Sequence, residues 1–232
     1  MLNEALRIKL QQAHRIFRME GLAEDASRGH ITARSEDGRI YIKPWGVGFE
    51  DVMAEDFQGL DMEGNLLEGE GRIHSELIIH REIYRRRLDV FAIAHVHPFY
   101  SILLSSVFKG SMNILSQHGV RFTGKIPFYR SAELIQFKNL GERLAQTLGD
   151  KPVVLMKNHG ITVAGKTIEE AVFLTLHFEH AAKYHLLATT FGKPSGMPMG
   201  VAKKWSALHY GSTDLGMLWE YYCKKLVRAN QN

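Results

Sequence analysis

Apolar residues recur along this chain with two spacings, one helical and one extended. Near the start, Leu6, Leu10, Ala13 and Phe17 are three or four residues apart, which predicts one buried helical face, and Gly21 supplies a helix stop. The same spacing predicts helices over 75–86, 133–148, from Thr167 toward Thr190 with Glu170 completing a capping box, and 215–227.

Extended segments alternate with these helices. Residues 29–34 and 39–44 alternate apolar and polar side chains around Asp37-Gly38, which predicts a β-hairpin. Short apolar runs predict strands over 90–96, 152–156 and 161–164, so the pattern is mixed α/β. Glycine and proline concentrate in 191–200. This loop divides a predicted catalytic domain, 1–192, from a tail, 193–232, whose loop and helix we expect to pack on the domain or on a neighbouring subunit.

Composition narrows the class of protein. The 232 residues are 45% hydrophobic and 23% charged, as in compact globular proteins, and the length favours one domain. The net charge of +4 comes from scattered basic residues without a nucleic-acid-binding motif, so we expect a small-molecule substrate and no nucleic-acid partner. No uninterrupted apolar segment indicates a membrane span or a secretory signal, which predicts a cytoplasmic protein.

Four residues could hold a metal ion. His95 and His97 are two apart at the end of an apolar strand, so their imidazoles share one face. His159 also follows an apolar strand, and Glu76 opens the helix that leads into the first of these strands. Each residue alone has a simpler explanation: a histidine bonded to backbone, or a carboxylate at a helix N-terminus. With the lone Cys223, only histidine and carboxylate ligands are available.

Other candidate motifs are weaker. His177 and His180, with His185, lie in one predicted helix whose neighbouring apolar positions are needed for the core, so we favour a structural role for them. The remaining histidines are uninformative by spacing, namely His14, His30, His74, His80, His118 and His209. No dinucleotide, P-loop or serine-hydrolase motif is present in the sequence.

An ordered set of motifs resembles the class II aldolase/adducin family; it comprises 29–34 (GHITAR), 74–76 (HSE), 94–97 (AHVH) and 158–160 (NHG). The resemblance implies a three-layer αβα fold with a central, largely antiparallel sheet, assembled as a homotetramer with metal sites near subunit interfaces. It also implies one divalent metal per subunit, with His95, His97 and His159 as ligands and Glu76 as the catalytic acid/base.

The sequence departs from the phosphate-binding motifs of that family's sugar-phosphate aldolases. His30 stands where those aldolases have asparagine, and 43–46 (KPWG) and 74–75 (HS) replace the other two motifs. We therefore expect the substrate to be carboxylated and aromatic, because cations and a flat ring suit such a molecule. The predicted substrate-binding residues are Arg28, His30, Lys43, Arg72, His74 and Ser75, with Trp45 beside them.

The segments 126–135 and 140–145 also resemble the branch of the family that decarboxylates hydroxylated aromatic or heteroaromatic dicarboxylates. The favoured hypothesis is a metal-dependent carboxy-lyase acting through a metal-stabilised enolate. Two alternatives stay open: a class II aldolase cleaving a hydroxy-keto sugar or sugar phosphate, and a non-catalytic adducin-like module. Three imidazoles suit Zn²⁺ or Mn²⁺, with Co²⁺ and Fe²⁺ as alternatives, so the sequence leaves the ion open.

Overall fold

A computed structural model describes residues 2–208 and 211–229. Seven helices lie within these residues: α1 (Leu2–Met19), α2 (Leu77–Arg86), α3 (Phe99–Val107), α4 (Lys138–Leu148), α5 (Ile168–Thr190), α6 (Met199–Leu208) and α7 (Ser212–Ala229). Eight strands form one sheet: β1 (His30–Arg34), β2 (Ile40–Ile42), β3 (Gln58–Leu60), β4 (Leu66–Glu68), β5 (Ala92–Val96), β6 (Phe128–Tyr129), β7 (Val153–Met156) and β8 (Gly160–Gly165).

The sheet has the strand order β4-β3-β2-β1-β5-β8-β7-β6. The predicted hairpin is β1–β2, in which Ala33 pairs with Tyr41. In the part of the chain that the structure describes, every pairing is antiparallel except β6–β7, so the sheet is mixed. Strands β1, β5 and β8 lie at its centre.

Alternating side chains give the sheet two buried faces. Along β5, Ala92 and Ala94 contribute to a core shared with α1, α3 and α5, whereas Ile93 contributes to a second core shared with α2 and α4. The predicted three-layer αβα arrangement is confirmed. His95, two residues after Ile93, therefore points toward the layer that contains α2.

Two helical segments differ from the sequence prediction. The helix predicted over 133–148 begins only at Lys138, because the preceding residues bond to the start of α2: Ile135 N–H donates to Glu76 Oε1 at 3.4 Å, and Gln136 Nε2 donates to Ser75 Oγ at 3.1 Å. The tail contains an additional helix, α6, after the predicted loop. Neither difference changes the order of the layers.

The last helix, α7, packs on the body of the same chain. Its apolar residues Leu218, Trp219 and Tyr222 contact the core cluster that includes Phe173 of α5. His209, which the sequence left uninterpreted, lies outside the described residues, as do five other positions of the chain. None of the described helices combines the length and the apolar character needed to cross a membrane.

The buried His14 in α1 should make stability depend on pH. Its Nδ1 donates to Leu10 O at 2.7 Å, and its Nε2 accepts from Ile31 N–H at 3.3 Å, so the buried ring is in its neutral form. Burial lowers the pKa of His14 to about 3 from 6.5. A depressed histidine pKa means that the unfolded state binds the proton more readily, so stability is present above pH 6.5 and is lost as the pH falls toward 3.

The unfolding free energy of the wild type should fall between pH 7 and pH 5, because its unfolded state binds a proton at His14. We expect the fall in His14→Gln to be smaller by about 2 kcal/mol, as follows from the linkage relation. Urea denaturation of both proteins at the two pH values measures it. Equal losses in the wild type and the variant would contradict the prediction.

Candidate metal centre

The end of β5, the connection between β7 and β8 and the start of α2 meet at one end of the central strands. His95 lies in β5 and His97 follows its last residue. His159 lies in the tight connection between β7 and β8, after Asn158, which has a left-handed φ of 53°. Glu76 is the residue at the N-terminal boundary of α2, but its side chain does not cap that helix. The four residues that the sequence grouped are therefore brought together.

The ligand atoms of these four residues lie within 4.8 Å of one another. The Nε2 atoms of His95 and His97 are 3.2 Å apart. One carboxylate oxygen of Glu76 is 3.5 Å from His95 Nε2, and the other is 3.7 Å from His159 Nε2. Three imidazoles and a carboxylate at these distances could hold a divalent cation such as those that favour nitrogen and oxygen ligands.

Hydrogen bonds behind the rings decide which nitrogen faces the cluster. Asp25 Oδ2 lies 2.5 Å from His97 Nδ1, and a carboxylate requires a donor, so His97 carries its proton there. Thr162 Oγ1 donates its only proton to Met156 Sδ at 3.3 Å, and therefore accepts from His95 Nδ1 at 3.1 Å. With one proton on each ring, both Nε2 atoms then present lone pairs to each other. A cation between them removes that repulsion, so these residues fit a bound metal.

The electrostatics of the cluster also favour a cation. Burial acts to raise the pKa of Glu76, but the imidazoles of His95, His159 and His97 beside it outweigh this and lower the pKa to about 2. Burial lowers the pKa of His159 to about 3. Partial burial likewise acts against ionised Asp25, yet its bond to His97 keeps its pKa below the usual value. The site thus offers anionic carboxylates beside a neutral imidazole, the forms that bind metals.

The cluster forms part of the wall of a cavity of about 770 Å³. Five of the predicted substrate-binding residues line it, as does the aromatic ring beside them: Arg28, His30, Arg72, His74, Ser75 and Trp45. The guanidinium of Arg72 lies over the Trp45 ring, 4.5 Å from its centroid. This wall therefore combines cationic groups with a flat aromatic surface.

Lys43, the sixth predicted substrate-binding residue, lies behind the cavity wall. Its buried Nζ donates to Ser27 O at 2.7 Å and to Val47 O at 2.8 Å, and it lies 3.4 Å from His74 Nε2. Burial lowers its pKa to about 8. The sequence placed this amine at the substrate because 43–46 (KPWG) stands at a phosphate-binding motif of the family's aldolases, whereas the backbone just after β2 turns the side chain inward.

Sequence reasoning missed three residues that complete the site. Asp25 is 72 residues from His97 and lies in the loop before β1, where no periodicity marks it. Thr162 is paired with His95 across the ladder between β5 and β8, a relation that requires the strand register. Gln136 lines the cavity from the segment predicted as helix. Of these three residues, only Thr162 could have been found from the sequence, by pairing the two predicted strands that form β5 and β8.

The histidines of α5 form a separate group. The ring of His118 lies 4.7 Å from that of His177 and 4.9 Å from that of His180. In the chain as described, however, only the cluster of Glu76, His95, His97 and His159 brings three or more ligand-type side chains to metal-binding distance. The structural role favoured for the α5 histidines stays a prediction.

Comparison with known families identifies the fold. The model of the class II aldolase and adducin N-terminal domain matches residues 8–186. The chain belongs to this family. Among curated class II aldolase relatives, 3,4-dihydroxyphthalate decarboxylase of Arthrobacter keyseri is 29% identical over 192 residues, 78% of this chain and 77% of that protein. L-fuculose phosphate aldolase of Methanocaldococcus jannaschii is 32% identical over 161 residues, 69% of this chain and 85% of that one.

Solved structures agree on the class II aldolase fold. An aldolase II superfamily protein from Pseudomonas syringae superposes with a TM-score of 0.89 at 24% identity, covering 98% of this chain and 94% of the other. L-fuculose 1-phosphate aldolase from Glaciozyma antarctica superposes with a TM-score of 0.86 at 23% identity, covering 99% and 91%. The tail beyond the family match is thus shared with structures of this fold.

Proposed function

We propose that this protein is a divalent-metal-dependent lyase that decarboxylates a hydroxylated aromatic or heteroaromatic dicarboxylate. The observation that carries the proposal is the cluster of three imidazoles and Glu76, of which Glu76, His97 and His159 line a cavity together with Arg28, Arg72 and Trp45. The curated decarboxylase relatives, which include a second 3,4-dihydroxyphthalate decarboxylase from Rhodococcus jostii at 28% identity, support the choice of reaction.

The residues of the cluster would divide the work as follows. His95, His97 and His159 would hold the metal, which supplies a Lewis acid for the negative charge that develops beside a carbonyl when a carbon–carbon bond breaks. As carbon dioxide leaves, the bonding electrons stay on the substrate carbon, and a proton replaces the lost carboxylate there. Glu76, an anion beside two of the imidazoles, would first accept a proton from a substrate hydroxyl or from solvent and then pass it to that carbon.

The cavity wall supports an aromatic dicarboxylate as substrate. Arg28 and Arg72 would orient the carboxylate that is retained, because guanidinium groups bind carboxylates with two parallel hydrogen bonds. Trp45 offers its ring face to an aromatic substrate beside Arg72. Lys43 would act indirectly, by fixing the loop that carries Arg28 through the carbonyl of Ser27.

The same cluster also suits aldol cleavage, which is the runner-up. Retro-aldol cleavage leaves electrons beside a carbonyl in the same way, and the Methanocaldococcus jannaschii relative is named as an aldolase. A non-catalytic module is less favoured, because His95, His97, His159 and Glu76 are all retained and converge.

Parallel assays separate these functions. The purified protein, stripped with a chelator and reloaded with Zn²⁺, Mn²⁺, Co²⁺ or Fe²⁺, is tested for carbon dioxide release from 3,4-dihydroxyphthalate and for aldehyde release from L-fuculose 1-phosphate. Metal-dependent carbon dioxide release without aldehyde supports the proposal. Aldehyde without carbon dioxide favours the aldolase, and a protein that retains no metal and converts neither compound favours the module.

Arg72 provides a test of substrate orientation. We expect Arg72→Met, which keeps the alkyl stem over Trp45 but removes the charge, to raise KM by roughly 10- to 100-fold, the effect of losing a charged hydrogen bond. The control is Arg86→Met, an exposed arginine of α2 outside the cavity. Steady-state kinetics of both variants measures the effect. Equal KM values would remove Arg72 from substrate binding.

Assembly and location remain predictions. The resemblance that implies a homotetramer is supported by exposed apolar residues at a spacing of four on α3, Phe99, Leu103 and Val107, next to the metal cluster. The cytoplasmic location rests on the composition of the sequence.

A further inference from the structure

The helix α3 begins directly after the proposed ligand His97, and a distant residue fixes its first turn. Pro98, at the N-terminal boundary of α3, has no side-chain group to cap the helix. Instead, Glu179 of α5 accepts from Tyr100 N–H at 2.7 Å, from Ser101 N–H at 2.8 Å and from Ser101 Oγ at 2.6 Å. The carboxylate therefore satisfies two amides that a helix otherwise leaves unpaired, and ties the chain beside His97 to α5.

The same helix holds the backbone beside a second proposed ligand. Ser105, buried on α3, accepts from Asn158 N–H at 2.9 Å through its Oγ, which donates its own proton to Ile102 O at 2.7 Å. Asn158 has a left-handed backbone and immediately precedes His159. The hydrogen bond therefore stabilises a conformation that asparagine adopts at a cost, and it fixes where His159 leaves the turn.

We propose that α3 is a positioning helix. Ser105 on α3 and Glu179 of α5, which binds the first turn of α3, together set the separation of His97 and His159. This inference rests on the proposed function, since it assumes that these histidines bind the metal. The two rings lie with their centroids 4.9 Å apart and nearly parallel, at an interplanar angle of 25°. A rigid helix tied at its start to α5 and at Ser105 to the β7–β8 turn holds both ligands to one spacing. Glu179 and Ser105 are thus positioning residues that act through the ligands.

Adjacent serines provide a matched pair of variants. Ser105 and Ser106 each donate to the carbonyl three residues earlier, both at 2.7 Å, but of the two only Ser105 accepts a hydrogen bond from the β7–β8 turn. We expect Ser105→Ala to weaken Co²⁺ binding by roughly 10- to 100-fold, the usual effect of removing a group that orients a ligand, and Ser106→Ala to leave it unchanged. Glu179→Gln, at the other tie, should weaken binding in the same direction through His97.

The experiment titrates the chelator-stripped full chain with Co²⁺ and records the visible absorption of the bound ion, which reports ligand geometry. Thermal unfolding of each metal-free variant separates positioning from folding. The proposal expects a changed absorption band and weaker binding in Ser105→Ala and Glu179→Gln, while metal-free Ser105→Ala and Ser106→Ala unfold at similar temperatures.

Two results overturn the proposal and are distinguishable from each other. The positioning role is rejected if Ser105→Ala and Glu179→Gln keep the wild-type affinity and spectrum. It is also rejected if Ser105→Ala and Ser106→Ala weaken binding equally. Both results leave the metal site intact. Co²⁺ uptake that is absent in the wild type, or unchanged in His97→Ala, rejects the proposed metal function and the positioning role with it.

Discussion

Glu76→Gln should keep its metal and lose a factor of about 10² to 10⁴ in turnover, the usual contribution of a general acid or base. The carboxamide has nearly the shape of the carboxylate, so it leaves the three imidazoles in place. Unlike the carboxylate oxygen that lies 3.5 Å from His95 Nε2, the carboxamide cannot take up a proton and release it again. Metal analysis and single-turnover kinetics on the same preparation measure the two effects separately.

Two control variants bracket this result. Glu142→Gln changes an exposed glutamate of α4 and should leave both metal and turnover unchanged. His97→Ala should remove both, because it deletes a proposed ligand. Unchanged turnover in Glu76→Gln would exclude the proton-transfer role, and loss of metal in that variant would make Glu76 mainly a ligand.

Gly160→Ala should abolish metal binding and destabilise the fold. Gly160 follows His159 and has a φ of +152°, and a Cβ there would lie 2.4 Å from Val96 O and 3.0 Å from His97 Cα. Strand β5 and the β7–β8 turn would have to separate where they carry His97 and His159. We expect a loss of about 2 to 5 kcal/mol in unfolding free energy, the sum of left-handed strain and overpacking.

A second glycine isolates the strain from the contact. Gly110 has a φ of +107°, and no atom lies within 4 Å of a Cβ built on it. Gly110→Ala should cost only about 1 to 2 kcal/mol and leave Co²⁺ binding intact. Urea denaturation and Co²⁺ titration of both variants test the prediction. Equal effects of the two substitutions would show that close approach to His97 is unimportant.

The sequence anticipated those parts of the site that local patterns control. His95 and His97 follow from strand periodicity, and Glu76 follows from the start of a helical pattern, so their placement needed no knowledge of the sheet order. Asp25 was missed because its role depends on the loop before β1 folding against the end of β5, a contact between residues 72 apart. Loop positions have no periodicity from which such a contact could be inferred.

Two further differences have the same origin in long-range contacts. The residues before Lys138 have helical spacing, but the bond from Ile135 to Glu76 holds them against the cavity instead. Lys43 was expected at the substrate from its place in the segment that replaces a phosphate-binding motif, whereas two loop carbonyls satisfy its Nζ inside the protein. In both cases a polar partner that is distant in sequence outweighs the local preference.

The proposed ligands lie at the ends of β5, β7 and α2, elements whose own hydrogen bonds and packing do not involve an ion. The fold therefore positions the proposed ligands by itself, unlike a zinc finger, whose fold depends on its metal. Exchange of an ion bound at the cavity wall would then need no unfolding of the sheet. One chain could consequently replace an oxidised or scarce ion during its lifetime, and the supply of metal in its surroundings would determine which ion it carries.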